Sequence, residues 1–185
     1  MERMSPINLV PIGVVEQGIV DFLSSKLGEA FGLEVRVSSP LEQPTYAYDP
    51  ARGQYRSGDI LARIKALRLS GRTLGVTEVD LYAPGLNFVF GEAEPSAGVA
   101  VISIARLKPE FYGLPSDWEL LKERTAKEAV HELGHIYGLG HCPEVKCVMH
   151  FSNTLRDTDV KGAEFCSRCK RKLGPLTKRQ PPEAG

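Results

Sequence analysis

The sequence predicts an α+β fold, in which a mixed, largely parallel β-sheet is backed by helices and followed by a small C-terminal part. Over the first 115 residues, short apolar segments alternate with longer segments of helical periodicity, which is typical of parallel strands joined by helices. Beyond Gly138 this pattern stops. The 185 residues, 42% of them hydrophobic and 25% charged, are enough for one domain with a hydrophobic core.

The first elements follow from apolar periodicity. Ile7–Val15 is apolar and β-prone, so it is predicted to be a buried strand. Apolar residues then recur at helical spacing over about Gln17–Phe31, which predicts a helix packed on that strand. Alternation of apolar and charged residues over Leu33–Val37 predicts a half-buried strand. Apolar residues on one face predict a second helix over about Asp59–Leu69.

Three further apolar segments are predicted to be strands: Leu74–Tyr82, Leu86–Phe90 and Gly98–Ala105. The last two are joined by a loop without a helix. Because such short connections join antiparallel rather than parallel strands, one of the two is expected to run antiparallel at an edge of the sheet.

The longest predicted helix begins at a capping-box pattern formed by Ser116 and Glu119. An apolar stripe from Trp118 to Tyr137 should face the core. His131 and His135 are four residues apart and therefore lie about 40° from each other around the helix, away from that stripe. A last short helix is predicted over Asp157–Leu173.

The segment HELGHIYGLGH matches the pattern HExxHxxGxxH. On a helix, His131 and His135 direct both imidazoles to one point, where a single zinc ion can bind them. Glu132 projects beside that point and can take a proton from a metal-activated water. Gly138 permits the sharp turn that would return His141 to the same metal.

Three histidine ligands leave the fourth zinc position open, which is typical of catalytic rather than structural sites. The alternative is a helix that carries ordinary surface or core histidines. The chain has four histidines, and three of them occupy this pattern, which favours the metal site.

The four cysteines occur as two close pairs, Cys142 with Cys147 and Cys166 with Cys169. Folding can bring two such pairs together into a closed, structural four-sulfur zinc site. The alternatives are two disulfides or four unrelated thiols. The N-terminal segment lacks a secretory pattern, so a cytoplasmic location is expected, where thiols more often bind metals than form disulfides.

With these motifs in place, the sequence resembles the metzincin metalloproteases, in which the long histidine motif is followed by a methionine-bearing turn. Met149 is the candidate for that turn, although a single methionine can also be ordinary core packing. The cysteine pairs around Met149 narrow the resemblance to the archaemetzincins. The spacing from Met149 to Cys166 is one residue shorter than the family pattern, and the motif spans Val130–Cys169.

The resemblance implies a metzincin-type catalytic domain over residues 1–173, with an upper subdomain to about residue 138 and a zinc-stabilised lower subdomain over about 139–173. Residues 174–185 are expected to be a flexible tail. The family's antiparallel edge strand, which is expected to bind extended substrate, is matched best by Gly98–Ala105.

The predicted function is therefore that of a zinc-dependent peptidase. His131, His135 and His141 would bind a catalytic zinc, the four cysteines a structural zinc, and Glu132 would be the general base. A peptide or protein substrate and a monomer are expected, with no membrane segment.

The alternative function is a zinc-stabilised binding module with little or no proteolysis. It would use the basic run Arg168–Arg179 to contact nucleic acid or an acidic protein. Lys and Arg together number 23, as do Asp and Glu, and this balance does not favour nucleic acid. A solvated helix end and tail is the favoured interpretation of the basic run, ahead of a binding patch.

Overall fold

The structure, a computed structural model, describes residues 5–177. The strands are β1 (Ile7–Ile12), β2 (Val35–Val37), β3 (Tyr48–Asp49), β4 (Gln54–Arg56), β5 (Arg72–Thr77), β6 (Leu81–Tyr82), β7 (Gly91–Glu94) and β8 (Val99–Ser103). The helices are α1 (Gln17–Phe31), α2 (Ser57–Lys65), α3 (Trp118–Ile136), α4 (Leu155–Val160) and α5 (Ser167–Thr177).

The main sheet has five strands in the order β2-β1-β5-β8-β7. All neighbouring strands are parallel except β7, which runs antiparallel to β8. A smaller sheet has the order β3-β4-β6. Mixed sheets with backing helices confirm the predicted fold class.

Helices cover both faces of the main sheet, and side-chain alternation assigns each residue to one face. Leu9 and Leu74 point into the larger core, which they share with α1 and α3. Val10 and Val101 point to the opposite face, where α2 closes a second, smaller core. The sheet is therefore the middle of three layers, with the long helix α3 on the face of the larger core.

The prediction that Gly98–Ala105 is the antiparallel edge strand is wrong. Its central residues form β8, which lies between β5 and β7 and is buried along its whole length. The antiparallel edge is β7, with the sequence GEAE. A continuous apolar run suits a strand covered on both faces, whereas charged residues suit an edge, so the apolar run itself indicated an interior strand.

Two other strand predictions are corrected. Residues 86–90 do not form a strand: within them Val89 makes only an isolated antiparallel bridge with Leu81, and the Arg52 guanidinium donates hydrogen bonds to the carbonyls of Leu86 and Asn87 (2.8 and 3.1 Å). The predicted strand Leu74–Tyr82 is divided, since the chain leaves the main sheet after Thr77 and joins the small sheet as β6.

The predicted capping box of α3 is also wrong. The N-cap is Asp117 rather than Ser116, and its carboxylate accepts a hydrogen bond from the amide of Leu120 (3.0 Å). From Arg124 to Gly134 every residue of α3 is buried. The helix therefore runs through the interior, and buried polar residues such as Arg124, Lys127 and Glu128 make ion pairs there.

The C-terminal region contains two helices where the sequence predicted one over Asp157–Leu173. A capping box between Thr154 and Asp157 begins α4, and extended backbone at Lys161 ends it. The predicted tail begins inside α5, which continues to Thr177, and residues 178–185 lie outside the described residues. None of the helices within residues 5–177 is both long and apolar enough to cross a membrane.

Candidate metal centre and active site

The three motif histidines converge on one point. His131 and His135 lie one turn apart on α3, and their Nε2 atoms face each other at 3.0 Å. His141 completes the group, with one nitrogen of each ring within 4.8 Å of the others. The site is open on one side, because His131 is buried, His135 is half-buried and His141 is exposed.

The return of His141 depends on the turn after α3. Gly138 has a φ of 90°, the left-handed conformation predicted for this position. The amide of Leu139 then donates to the carbonyl of Gly134 (2.9 Å), and the Leu139 carbonyl accepts a hydrogen bond from Nδ1 of His135 (2.8 Å). The turn thus both redirects the chain and orients the second histidine.

The hydrogen bonds of the imidazoles fit a metal ion. Nδ1 of His131 lies 2.7 Å from the carbonyl oxygen of Val148, and Nδ1 of His135 makes the corresponding contact with Leu139. A carbonyl oxygen only accepts, so both Nδ1 atoms carry the proton and both Nε2 atoms present lone pairs. Two lone pairs facing each other at 3.0 Å repel unless a cation lies beside them, and imidazole nitrogens are ligands that zinc prefers.

The environment keeps the imidazoles neutral, which is the form that binds metal. Burial, and secondly the charge of Lys161, lower the pKa of His131 to about 2. Burial also lowers the pKa of His135 and of His141. At neutral pH, protons therefore compete weakly for these nitrogens.

Glu132 lies beside the histidines and is almost fully buried. Burial is the largest cause that raises its pKa, to about 8, and the neighbouring Glu128 carboxylate is the next. A carboxylate with a raised pKa is a stronger base than an exposed one. Across the cleft, the carboxylate borders Gly91 of β7, where a Cβ atom would lie 2.8 Å from Cγ of Glu132.

The segment Val148–Met149 supports α3 from below. The Val148 carbonyl accepts the hydrogen bond from His131 described above. Met149 is fully buried, and its sulfur packs against Gly134, which directly precedes His135 on α3. The candidate methionine turn therefore contacts the histidine site directly.

The four cysteines also converge, with sulfur atoms all within 4.8 Å of one another. The sulfurs of Cys142 and Cys166 are 3.8 Å apart, which is too far for a disulfide bond, and all four thiols are free. A hydrogen bond from the Cys169 amide is the main cause that lowers the pKa of Cys166 to about 7, whereas burial raises the pKa of Cys147 and of Cys169. A closed group of four sulfurs is a donor set that suits a structural zinc.

The two clusters share chain segments. His141 and Cys142 are consecutive, and so are Cys147 and Val148. The amide of Cys142 donates to the carbonyl of Met149 (2.9 Å), and Nδ1 of His150 lies 2.9 Å from the carbonyl of Cys142. A metal ion or contact that holds the cysteines together therefore also fixes His141. It fixes the Val148 carbonyl as well, which orients His131.

Several residues of this region were missed by sequence reasoning. Glu128, Thr158 and Lys161 form a buried polar group behind His131. Glu128 lies four residues before Glu132, so helical spacing could have placed it on the same face. No pattern in the sequence indicates that Lys161 or Gly91 lies at the site, because both are brought there by tertiary folding.

A cleft of about 280 Å³ opens in front of the histidines. One wall is the irregular segment 86–90, and the other includes Phe151, whose ring lies 5.0 Å from that of His141. Leu86 and Phe151 expose more than half of their surface. The site thus combines carboxylate and imidazole groups at its floor with apolar side chains at its rim, as ligand sites commonly do.

Residues 47–175 match the family model described as Peptidase family M54. An archaemetzincin from Pyrococcus furiosus is 50% identical over 173 residues, covering 89% of this chain and 90% of that protein. An archaemetzincin from Methanocaldococcus jannaschii is 48% identical over 173 residues, covering 94% of this chain and 95% of that protein.

Two solved structures share the fold. A zinc-dependent peptidase from Methanocorpusculum labreanum superposes with a TM-score of 0.85 at 32% identity, covering 91% of this chain and 100% of that one. An archaemetzincin from Archaeoglobus fulgidus superposes with a TM-score of 0.79 at 41% identity, covering 90% of this chain and 99% of that one.

Proposed function

The chain belongs to peptidase family M54, the archaemetzincins, and is a zinc metallopeptidase; from this premise we propose that it hydrolyses peptide bonds with Glu132 as general base. The observation that carries the proposal is the convergence of three neutral imidazoles beside a buried, basic carboxylate in one open cleft.

We propose that His131, His135 and His141 hold the catalytic zinc. Zinc bound there would supply a Lewis acid that polarises a carbonyl and makes water more acidic. Val148 and Leu139 orient two of the three rings through their carbonyl oxygens. Such outer hydrogen bonds fix the tautomer and direct Nε2 toward the metal.

Glu132 is proposed to move the proton. Its carboxylate would take a proton from the attacking water and deliver it to the nitrogen of the departing amine. The raised pKa suits this role, since a general base should be poised near the working pH. Gly91 leaves room for the carboxylate at the floor of the cleft.

The substrate is proposed to add to the edge strand β7 as an extended peptide. The Phe90 carbonyl accepts a hydrogen bond from the Ser103 amide (2.8 Å). In an antiparallel pair, every second residue directs its backbone groups to the neighbouring strand, and this bond shows that Phe90 is one of those residues. The backbone groups of Gly91 and Ala93 therefore point away from β8, toward the free edge. Gly91 borders Glu132, so a peptide paired along this edge would pass beside the base.

The cysteine cluster is proposed to hold a second, structural zinc, which gives two zinc ions per chain. We place the boundary between the upper and lower parts of one catalytic domain at the turn around Gly138, where α3 has ended and the chain enters the region of the cysteines. Four thiols that must stay reduced support a cytoplasmic location. The monomeric state stays a prediction.

The test is the variant Glu132→Gln, with Glu119→Gln as the control on an exposed position of the same helix. Glu132→Gln should retain two zinc ions per chain and cleave a peptide library about 10²–10⁴-fold more slowly, while the control cleaves at the parent rate. Chelator should abolish cleavage by the parent. If Glu132→Gln cleaves as fast as the parent, Glu132 is not the base.

A further inference from the structure

A buried ammonium lies behind the histidine site. Lys161 follows α4 and is among the largest fully buried side chains of residues 5–177. Its Nζ lies 3.4 Å from Oε1 of Glu128 and 3.5 Å from Nδ1 of His131. Both distances exceed the 2.7–2.9 Å typical of a strong charged hydrogen bond. Burying an ammonium is costly unless its geometry is excellent, so stability alone explains this arrangement poorly.

The contact with His131 is not an ordinary hydrogen bond. Nδ1 of His131 already donates its proton to the Val148 carbonyl (2.7 Å), so it has no lone pair to offer to Lys161. The ammonium instead lies against the ring edge that carries Nδ1. Its contact with the ring is therefore steric and electrostatic.

Glu128 holds the ammonium in this place. Its Oε1 accepts a hydrogen bond from the Thr158 hydroxyl (2.9 Å) and also faces Lys161. Glu128 lies one helical turn before His131 and Glu132 and lines the same cleft. The pair thus joins the segment that ends α4 to the part of α3 that carries the metal ligands and the base.

Lys161 places a positive charge among the carboxylates of the site. Glu128 and Glu92 both lie close enough to Glu132 to affect it, and Lys161 offsets their negative charge. Without Lys161, the carboxylates of Glu128 and Glu132 would face each other across one helical turn in a buried site. Like charges at this spacing repel, and burial strengthens the repulsion.

We propose that Lys161 is a positioning residue of the peptidase: held by Glu128, its ammonium fixes the His131 ring against the Val148 carbonyl and balances the charge beside Glu132. The inference rests on the proposed function, because it takes His131 as a zinc ligand. It adds a buried Lys–Glu pair to the groups that determine metal affinity and turnover.

The decisive comparison is Lys161→Met against Lys127→Met. Lys127 is a matched control because it is also buried, pairs with Glu123 (2.6 Å), and contacts the Asp159 carbonyl (3.3 Å) across the same α3–α4 interface. It has no contact with the histidines among those described. Both variants lose one buried charge and one link to α4, but only Lys161→Met loses the group beside His131.

Three measurements are made on each full-length, zinc-loaded variant: the free energy of unfolding, the zinc affinity of the histidine site by chelator competition, and kcat with KM. Lys161→Met should lower the zinc affinity of the histidine site several-fold, because the His131 ring loses the group that fixes it against the Val148 carbonyl; loss of a cation that acted by charge alone would instead raise the affinity. Its kcat should fall with little change in KM. Lys127→Met should lose stability and keep both zinc affinity and kcat.

Glu128→Gln is the second variant, in case Lys161→Met does not fold. It keeps the acceptor for Thr158 but removes the charge that holds Lys161, so it should also weaken zinc binding at the histidine site while the cysteine site stays loaded. Parent-like zinc affinity in both variants would overturn the inference, as would equal losses in Lys127→Met. Because affinity is measured without substrate, the result is independent of whether Glu132 is the base.

Discussion

The sulfur of Met149 occupies the space that a side chain at Gly134 would need. Gly134 lies between His131 and His135 on α3, and Met149 is fully buried beneath it. The absence of a Cβ atom at residue 134 lets the segment after the cysteine pair approach the helix closely. The same approach brings the Val148 carbonyl to within 2.7 Å of His131.

Gly134→Ala should therefore destabilise the protein, by about 1–3 kcal/mol, as overpacking of a filled core does. Urea unfolding measures the loss. Gly58→Ala is the matched control, because Gly58 also lies in a helix but has open space around the position of a Cβ atom. The control should be neutral or slightly stabilising, since alanine favours helices. Equal stability of the two variants would mean that the close approach does not constrain residue 134.

Met149→Ala provides the second half of this test. Alone it should cost about 2–5 kcal/mol, because it leaves a cavity in the core. Combined with Gly134→Ala, the new methyl group would occupy part of that cavity. The double variant should therefore lose less free energy of unfolding than the sum of the two single variants. Additive losses would contradict direct packing of Met149 on Gly134.

Gly91→Ala should slow catalysis by displacing Glu132, the proposed general base. A Cβ atom at this position would lie 2.8 Å from Cγ of Glu132 and 2.9 Å from the carbonyl oxygen of Val101. The carbonyl belongs to the buried strand β8 and cannot move easily, so the side chain of Glu132 must shift. We expect kcat to fall at least tenfold, since small displacements of catalytic groups are costly. Zinc content should stay unchanged, and an unaltered kcat would show that Glu132 tolerates the shift.

Ala93→Pro tests the proposed pairing of substrate with β7. Proline removes an amide that points to the free edge, and edge strands tolerate proline where the lost N–H faces outward. The folded structure should persist, whereas KM for peptide substrates should rise several-fold with the loss of one backbone hydrogen bond. Ala93→Val keeps the amide and should retain the parent KM. A parent-like KM in Ala93→Pro would argue against strand addition at this edge.

Removal of one proposed zinc ligand from each cluster should have unequal consequences. Cys166→Ser should lower zinc content at both sites and destabilise the protein, because Cys142 and Cys147 are bonded to His141 and Val148. His141→Ala should lose the histidine-bound zinc alone and keep the fold, since exposed His141 contributes little to the core. Metal analysis combined with thermal unfolding separates the two outcomes. Full retention of the histidine-bound zinc in Cys166→Ser would show that the clusters are independent.

Much of the histidine site was predictable, because its geometry follows from local rules. Residues four apart on a helix share a face, and a glycine with positive φ ends the helix, so His131, His135 and Gly138 could be placed from spacing alone. The same holds for α1, whose apolar periodicity gave the observed bounds Gln17–Phe31. In these cases, neighbours along the chain determine the conformation.

The incorrect predictions concern contacts between distant segments. Whether residues 86–90 or 98–105 formed the edge strand depended on sheet order, and the carbonyls of Leu86 and Asn87 bind Arg52, which is distant along the chain. The helix predicted over Asp157–Leu173 was divided because Lys161 enters the core in an extended conformation. Hydrophobic periodicity does not indicate which distant segments will contact each other.

The sequence by itself determined that one helix would present two imidazoles and a carboxylate, and that a glycine turn could return a third imidazole to them. Only the tertiary structure decided what surrounds these groups: Gly91 in front of Glu132, Met149 beneath Gly134, and the Lys161–Glu128 pair behind His131. The physical reason is that ligand spacing is a property of the helix. Burial, charge balance and packing depend instead on residues that are far apart in the chain and meet only in the folded protein.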